Sequence, residues 1–247
     1  MDLRLTVLGS GGIRPDTHRG GPAHLFSAGS SHLLLDAGPG ASRALKRAGL
    51  QASDLTGIAI THRHPDHMGE LLLLLELERL RPRTKALALL GPGLLDEYLD
   101  FMAAWGRDEP RKLPYPVVRH LMPGTCKLGP MRIEAMTVPH VQGSVGYRVD
   151  VGKKRMVYAG DCGPGPEVEE LAKGADLLLL ECSLPASGHT AAHLAPEQAA
   201  EIAVAAGAKR LLLTHFPPDY DTELAVEIAK ARGLCCQAAH DGLQIKI

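Results

Sequence analysis

The sequence predicts an α/β protein: two mixed β-sheets packed face to face, with helices on the outer faces. Three observations lead there. Apolar runs of strand length, such as Leu55–Ile60, Asp176–Glu181 and Lys209–Thr214, are bounded by turn residues. Helical stretches follow, and this order of strands and then helices occurs twice along the chain. Histidine and aspartate gather just beyond the ends of the apolar runs, where an α/β protein places its chemistry.

The elements follow in order. Leu3–Leu8 alternates enough for a first strand, and Gly9-Ser10-Gly11-Gly12 turns the chain after it. Such a turn can cradle an anion or can simply be a turn. It lacks the lysine of a P-loop and is not GxGxxG. Ala23–Ser27 and Ser31–Asp36 form a hairpin about Gly29-Ser30, and Ala41–Ala48 is a helix closed by Gly49. The Leu55–Ile60 strand enters a polar loop, and Met68–Leu80 leaves it as a helix ended by Pro82. Ala86–Leu90 is a strand, Leu94–Trp105 a helix, and residues 106–116, with three prolines, a loop. Strands are expected at Val117–Leu121, Met131–Val138, Val145–Val151 and Arg155–Ala159. The first two are separated by turns at Pro123-Gly124 and Gly129-Pro130. Pro166–Lys173, Pro196–Ala206 and Thr222–Arg232 are helices, interleaved with the strands Asp176–Glu181, Lys209–Thr214, Leu234–Ala238 and Leu243–Ile247. No linker or low-complexity stretch divides the chain, so residues 1–247 are expected to form one domain.

Composition narrows the function. Of 247 residues 45% are hydrophobic and 22% charged, with a net charge of −1, so no general positive field exists to collect nucleic acid. The basic clusters Arg79–Lys85 and Lys153–Arg155 read as solvated faces. The Leu71–Leu75 run is too short to span a bilayer and runs at once into Glu76. Five cysteines, an odd number with no CxxC, argue for reduced thiols and a cytoplasmic setting, with no membrane partner.

The most informative stretch is Thr61-His62-Arg63-His64-Pro65-Asp66-His67-Met68-Gly69. His62 and His64 are two apart, so an extended backbone points both the same way. Asp66 and His67 are adjacent, face differently and can serve a second centre. Imidazole suits Zn, Fe and Mn, and a carboxylate beside it favours a bridged hydrolytic pair.

His62-x-His64-x-Asp66-His67 resembles the H-x-H-x-D-H signature of the metallo-β-lactamase-fold hydrolases. The resemblance implies an αββα sandwich and two divalent metal ions per chain, typically Zn, with Mn or Fe as alternatives. His62 and His64 would serve one ion, Asp66 and His67 the other. The remaining ligands fall at strand ends. His140 follows Thr137-Val138-Pro139 and would complete the first ion's set. Asp161, in Tyr158-Ala159-Gly160-Asp161, resembles the family's bridging aspartate. His215, in Leu213-Thr214-His215-Phe216, would complete the second set. Asp36, in Leu35-Asp36-Ala37-Gly38, is the candidate to orient a metal-binding histidine from behind.

His193 precedes Pro196-Glu197-Gln198-Ala199-Ala200, and that helix leads to Thr214-His215-Phe216. Together with Leu8–Gly12 and Leu35–Gly38, this is similar to the ribonuclease Z-like branch. By that resemblance His193 touches the scissile phosphate and would protonate the leaving oxygen; His189, four positions earlier, is an alternative for the role, and Glu181, at a strand end, is a candidate to hold His193 in place. The branch often dimerises, so a homodimer is an expectation too. The long arm with which bacterial ribonuclease Z grips transfer RNA would sit between Val145–Val151 and Arg155–Ala159, where only a tight hairpin fits. The expected function is a dinuclear phosphodiesterase in which a metal-bridging hydroxide attacks a small or single-stranded phosphodiester. His193, Asp66 and Asp161 would be its catalytic residues. Alternatives are hydrolysis of an ester, thioester or lactone, transfer-RNA 3′ processing, and a metal-binding protein without turnover.

Overall fold

The computed structural model describes residues 2–77, 83–104 and 113–247. The first sheet contains β1 (Leu3–Gly9), β2 (Ala23–Ala28), β3 (Ser31–Leu35), β4 (Gly57–Ala59), β5 (Leu87–Gly91), β6 (Val117–Leu121) and the C-terminal β14 (Gln244–Lys246). Its order is β14-β1-β2-β3-β4-β5-β6. It is antiparallel as far as β3 and parallel from β3 onward. The second sheet contains β7 (Gly124–Leu128), β8 (Met131–Thr137), β9 (Val145–Val151), β10 (Lys154–Tyr158), β11 (Leu177–Glu181), β12 (Leu211–Thr214) and β13 (Cys236–Ala238). Its order is β13-β12-β11-β10-β9-β8-β7, antiparallel from β7 to β10 and parallel from β10 to β13. Each half of the chain thus builds one mixed sheet, and β14 returns to pair with β1.

The burial pattern explains the layering. Met131, Ile133 and Ala135 alternate inward on β8 and meet Leu5, Val7, Phe26, Leu33 and Leu35 of the first sheet. The parallel strands β11 and β12 are buried throughout, because helices cover their other face. Helices α5 (Pro166–Ala172), α6 (Pro196–Ala205) and α7 (Thr222–Lys230) pack Val168, Leu171, Ile202, Ala203, Ala225 and Ala229 there. On the first sheet, α1 (Ala41–Arg47), α3 (Leu71–Leu77) and α4 (Leu94–Ala104) supply Leu45, Leu71, Leu74 and Leu95. Burying one such leucine contributes about 1.5–3 kcal/mol, so the outer layers rest on this apolar contact. The predicted αββα sandwich is the observed fold.

Three element readings need correction. The Leu55–Ile60 strand pairs only over β4, with a 3₁₀ turn at Ala52–Asp54 before it. The single helix expected from Met68 is two. A short α2 (Pro65–Met68) begins with proline at its first turn, where the missing N–H costs nothing. The chain then breaks at Gly69-Glu70, because Glu70 is held elsewhere. Its N–H donates to Ala37 O at 2.8 Å, and its carboxylate accepts from the N–H groups of Gly40 and Ser42, both at 2.7 Å. Finally, Gly124–Leu128, expected as part of a turn connection, is an edge strand. Cys126 and Leu128 alternate with exposed Thr125 and Lys127 and pack on the core, but the run is short and bracketed by the turn residues Pro123-Gly124 and Gly129-Pro130.

The expected helix end at Pro82, much of the Arg79–Lys85 cluster, Trp105 and residues 106–112 of the proline-rich loop lie outside the described residues. No helix of the described residues is long and apolar enough to cross a membrane.

Candidate metal centre

Strand ends deliver the predicted side chains to one place. Thr61, His62 and His64 follow β4, and His64 (extended, φ −66°, ψ 141°) caps α2, which carries Asp66 and His67. His140 follows β8, Asp161 follows β10, Glu181 ends β11, and His215 follows β12. Ligand-capable atoms of His62, His64, His140 and Asp161 all lie within 4.8 Å of one another. Asp66, His67 and His215 form a second such group, and Asp161, Glu181 and His193 a third. His62, Asp66, His67, Asp161 and His215 are buried.

The distances are those of a coordination shell. Four donors about 2.0–2.2 Å from a tetrahedral ion are separated by about 3.3–3.6 Å. His67 Nε2 lies 3.2 Å from His215 Nε2, and both lie 3.1 Å from Asp161 Oδ1. Asp66 Oδ2 is 3.3 Å from His215 Nε2 and 3.6 Å from His67 Nε2. In the first group, His140 Nε2 lies 3.3 Å from His64 Nδ1 and 3.9 Å from Asp161 Oδ2. The two Asp161 oxygens therefore face different groups, as a bridging carboxylate would.

Two buried atoms reinforce the fit. His62 Nε2 and Asp161 Oδ1 have no hydrogen-bond partner among the described residues. An unpartnered buried polar atom costs about 1–3 kcal/mol, so both are atoms that a cation would satisfy. The electrostatics agree. Burial is the largest single cause and pushes the His67 and His215 imidazoliums down, but the carboxylates together, Asp161 and Asp36 at His67 and Asp161 and Asp66 at His215, hold both above the ordinary histidine range. Burial is also the largest cause at Asp161 and raises it, yet His215 and His67 bring that carboxyl well below its usual range. Positive charge belongs between these side chains. Burial depresses His62 and His64, and neighbouring imidazoles depress them further, so their nitrogens stay neutral and able to donate a lone pair.

Asp36 lies behind the cluster and accepts hydrogen bonds from several of its neighbours. Its Oδ2 accepts from His67 Nδ1 at 2.8 Å, which fixes the tautomer and leaves His67 Nε2 facing the cluster. It also accepts from Tyr158 Oη at 2.8 Å and Thr61 Oγ1 at 2.9 Å, while Oδ1 accepts from Thr61 N at 2.8 Å. Thr61 Oγ1 in turn lies 3.0 Å from His62 Nδ1. Asp36 reaches these donors from a left-handed backbone (φ 58°), which aspartate tolerates better than most residues. His140 Nδ1 donates to Ala192 O at 2.9 Å. We expect Asp36→Ala to strand four donors in the interior and to lower stability by about 3–5 kcal/mol, read as a shift in the urea midpoint. A loss under 1 kcal/mol would contradict this account.

His193 stands at the edge of the first group. Its ring packs edge-on to His140, with centroids 5.0 Å apart, and its Nδ1 lies 2.7 Å from Glu181 Oε1. That hydrogen bond, outweighing burial, raises the His193 pKa. Glu181 is fully buried and also accepts from Cys162 N and Ser183 Oγ. His189, four positions earlier, is exposed and is not part of these groups.

The sequence reading missed Thr61 and Tyr158 as the anchors of Asp36. Thr61 could have been suspected from its place between strand and motif. Tyr158 gave no signal beyond a strand position, and it contacts Asp36 across 122 positions. Also missed was Asp241, which ties the glycine turn by accepting from Ser10 N at 2.9 Å and Gly20 N at 2.8 Å.

A model of the beta-lactamase superfamily domain matches residues 31–216, which carry all the candidate ligands. A ribonuclease Z of Mycobacterium sp. strain KMS is 28% identical, over 87% of this chain and 85% of that protein. The structure of the human tRNase Z short form superimposes with a TM-score of 0.78 at 25% identity, covering 98% of each chain. The metallo-beta-lactamase fold protein YhfI of Bacillus subtilis superimposes with a TM-score of 0.88 at 23% identity, covering 100% of each chain. With three quarters of its length matched by that model, and with the αββα sandwich in place, the chain belongs to the beta-lactamase superfamily.

Proposed function

We propose that this protein is a metal-dependent phosphodiesterase that holds two divalent ions. His62, His64 and His140 would take one, Asp66, His67 and His215 the other, with Asp161 shared. Bound there, such a pair supplies Lewis acidity and a water of lowered pKa. The donor set of imidazoles and carboxylates suits Zn, with Mn and Fe as alternatives. Asp36 and Thr61 keep His67 and His62 oriented. Asp66 and Asp161 offset the ions' charge and position the attacking water. His193 donates a proton from Nε2 to the departing oxygen, because its Nδ1 is committed to Glu181. Five free thiols suit a reducing compartment, and we place the protein in the cytoplasm.

The observation that carries the phosphodiester reading is His193 held between buried Glu181 and His140. A phosphodiester carries a negative charge on its non-bridging oxygens that a cationic imidazole can pair with, whereas an ester or thioester is neutral there. Relatives named ribonuclease Z support the same class. They also favour a second reading, cleavage of precursor transfer RNA at its 3′ side. Against it, β9 and β10 are joined only by Gly152-Lys153, with Gly152 at φ 60°, so the expected gripping arm is missing at that place.

The test is a panel assayed after loading with Zn or Mn: bis(p-nitrophenyl) phosphate, a dinucleotide, a precursor transfer RNA, a thioester and a lactone. Turnover of the first two is expected. Turnover of the thioester or lactone alone would sink the reading. Fewer than one ion per chain after loading would restore the non-catalytic alternative.

A further inference from the structure

The metal loop and the glycine turn enclose a hollow of about 320 Å³, lined by Gly12, Ile13, Arg14, Arg19, Pro39 and Asp66 among others. Its position is one-sided. Asp66 belongs to the second ligand group, and Gly12 lies against the same group, since a Cβ there would fall 2.9 Å from His215 Cε1. His193 stands beside His140 of the first group. The hollow therefore borders the second group, and the proton donor borders the first.

Two arginines, Arg14 and Arg19, line this hollow. Arg19 is fixed: Nη1 donates to Ser10 Oγ and Ala239 O, both at 2.7 Å, and its Cζ lies 4.9 Å above the Phe216 ring. Arg14 is exposed and has no carboxylate or carbonyl partner among the described residues. One carboxylate opposes them, Asp16, which accepts from His18 N at 2.6 Å. Asp66 is turned to His215 and His67. Ile13, Pro15, Pro39 and Pro65 give the remaining wall an apolar character. An unpaired guanidinium on the lip of a half-apolar hollow suits a phosphate joined to a ring.

We propose that this hollow binds the part of the substrate retained on the scissile phosphorus, and that Arg14 selects a second phosphate on it. Arg19 fixes the wall and adds to the field. The inference rests on the phosphodiesterase reading and assigns that site a substrate class: diesters of a phosphorylated alcohol. The chemistry is hydrolysis. Water adds to phosphorus, the bond to the leaving oxygen breaks, and that oxygen departs on the His193 side with a proton, while the second phosphate stays in the hollow.

The experiment uses two substrates whose leaving group is the same, thymidine 5′-(p-nitrophenyl phosphate) and its 3′-phosphorylated form. The 3′-phosphate is expected to lower KM about fivefold, with kcat little changed. Arg14→Ala should abolish that preference while leaving KM for the unphosphorylated ester within about twofold, and Arg14→Lys should keep part of it. Equal KM values in the unaltered protein, or an equal loss on both substrates in Arg14→Ala, would overturn the inference. Calorimetric binding separates it from the reading beneath it. Thymidine 3′,5′-bisphosphate should bind about fivefold more tightly than thymidine 5′-phosphate, and Arg14→Ala should erase the difference. If neither ester is hydrolysed but this binding difference holds, the phosphodiesterase reading fails and the anion site stands. If both nucleotides bind alike, the site falls whatever the turnover.

Discussion

Asp161→Asn is expected to lower phosphodiester turnover on the order of 10³-fold and to reduce the bound metal below two ions per chain. The substitution keeps the shape of the side chain and changes only its charge and one donor atom. Asp161 Oδ1 sits 3.1 Å from both His67 Nε2 and His215 Nε2, and Oδ2 sits 3.9 Å from His140 Nε2. An amide puts an N–H₂ group, which cannot donate a lone pair, against one of the two ligand groups. It also removes a negative charge that helps hold His67 and His215 above their ordinary range. Metal content by mass spectrometry and kcat on bis(p-nitrophenyl) phosphate read the two effects separately. Two ions per chain with unaltered kcat would show that Asp161 is not shared between the ions.

The second large effect concerns His193→Ala. The substitution should leave the metal content intact, because His193 reaches only the edge of the first group. Loss of a general acid typically costs about 10²–10⁴-fold in rate. That full loss is expected on a dinucleotide, whose alkoxide must leave with a proton. A much smaller loss is expected on bis(p-nitrophenyl) phosphate, whose aryl oxide leaves without one. Glu181→Gln should show the same leaving-group pattern in weaker form. The glutamine oxygen can still accept from His193 Nδ1, but without the charge that raises the imidazole's pKa. Equal losses on both substrates would mean that His193 binds the phosphate and does not deliver the proton.

Much of this centre was legible from the chain alone. His62-x-His64-x-Asp66-His67 is a local pattern, and its residues fall together because a turn and a single helical turn place them so. His140, Asp161 and His215 stand just beyond apolar strands, the resemblance to that signature's family singled them out there, and strand direction carried each of them to the same region. Where the helix reading erred, the competing force was long-range. The helix expected from Met68 breaks because Glu70 is held by Gly40 and Ser42, about thirty positions away. The strand β7 was missed because its short alternating run lies between two turn signals, Pro123-Gly124 and Gly129-Pro130.

The order of strands and helices along the sequence predicted the αββα sandwich, while the resemblance of His62-x-His64-x-Asp66-His67 to a known signature implied the candidate ligands and their division into two sets. Tertiary structure decided how the ligands are aimed. It gave Asp36 four donors from Thr61, His67 and Tyr158, and set Glu181 against the back of His193. It also opened the hollow between the glycine turn and α2 that exposes Arg14 beside Asp66. These contacts join residues up to 122 positions apart, as between Asp36 and Tyr158. Only the packing of one sheet against the other brings such distant hydrogen-bonding groups into register, and no pattern along the chain encodes that distance.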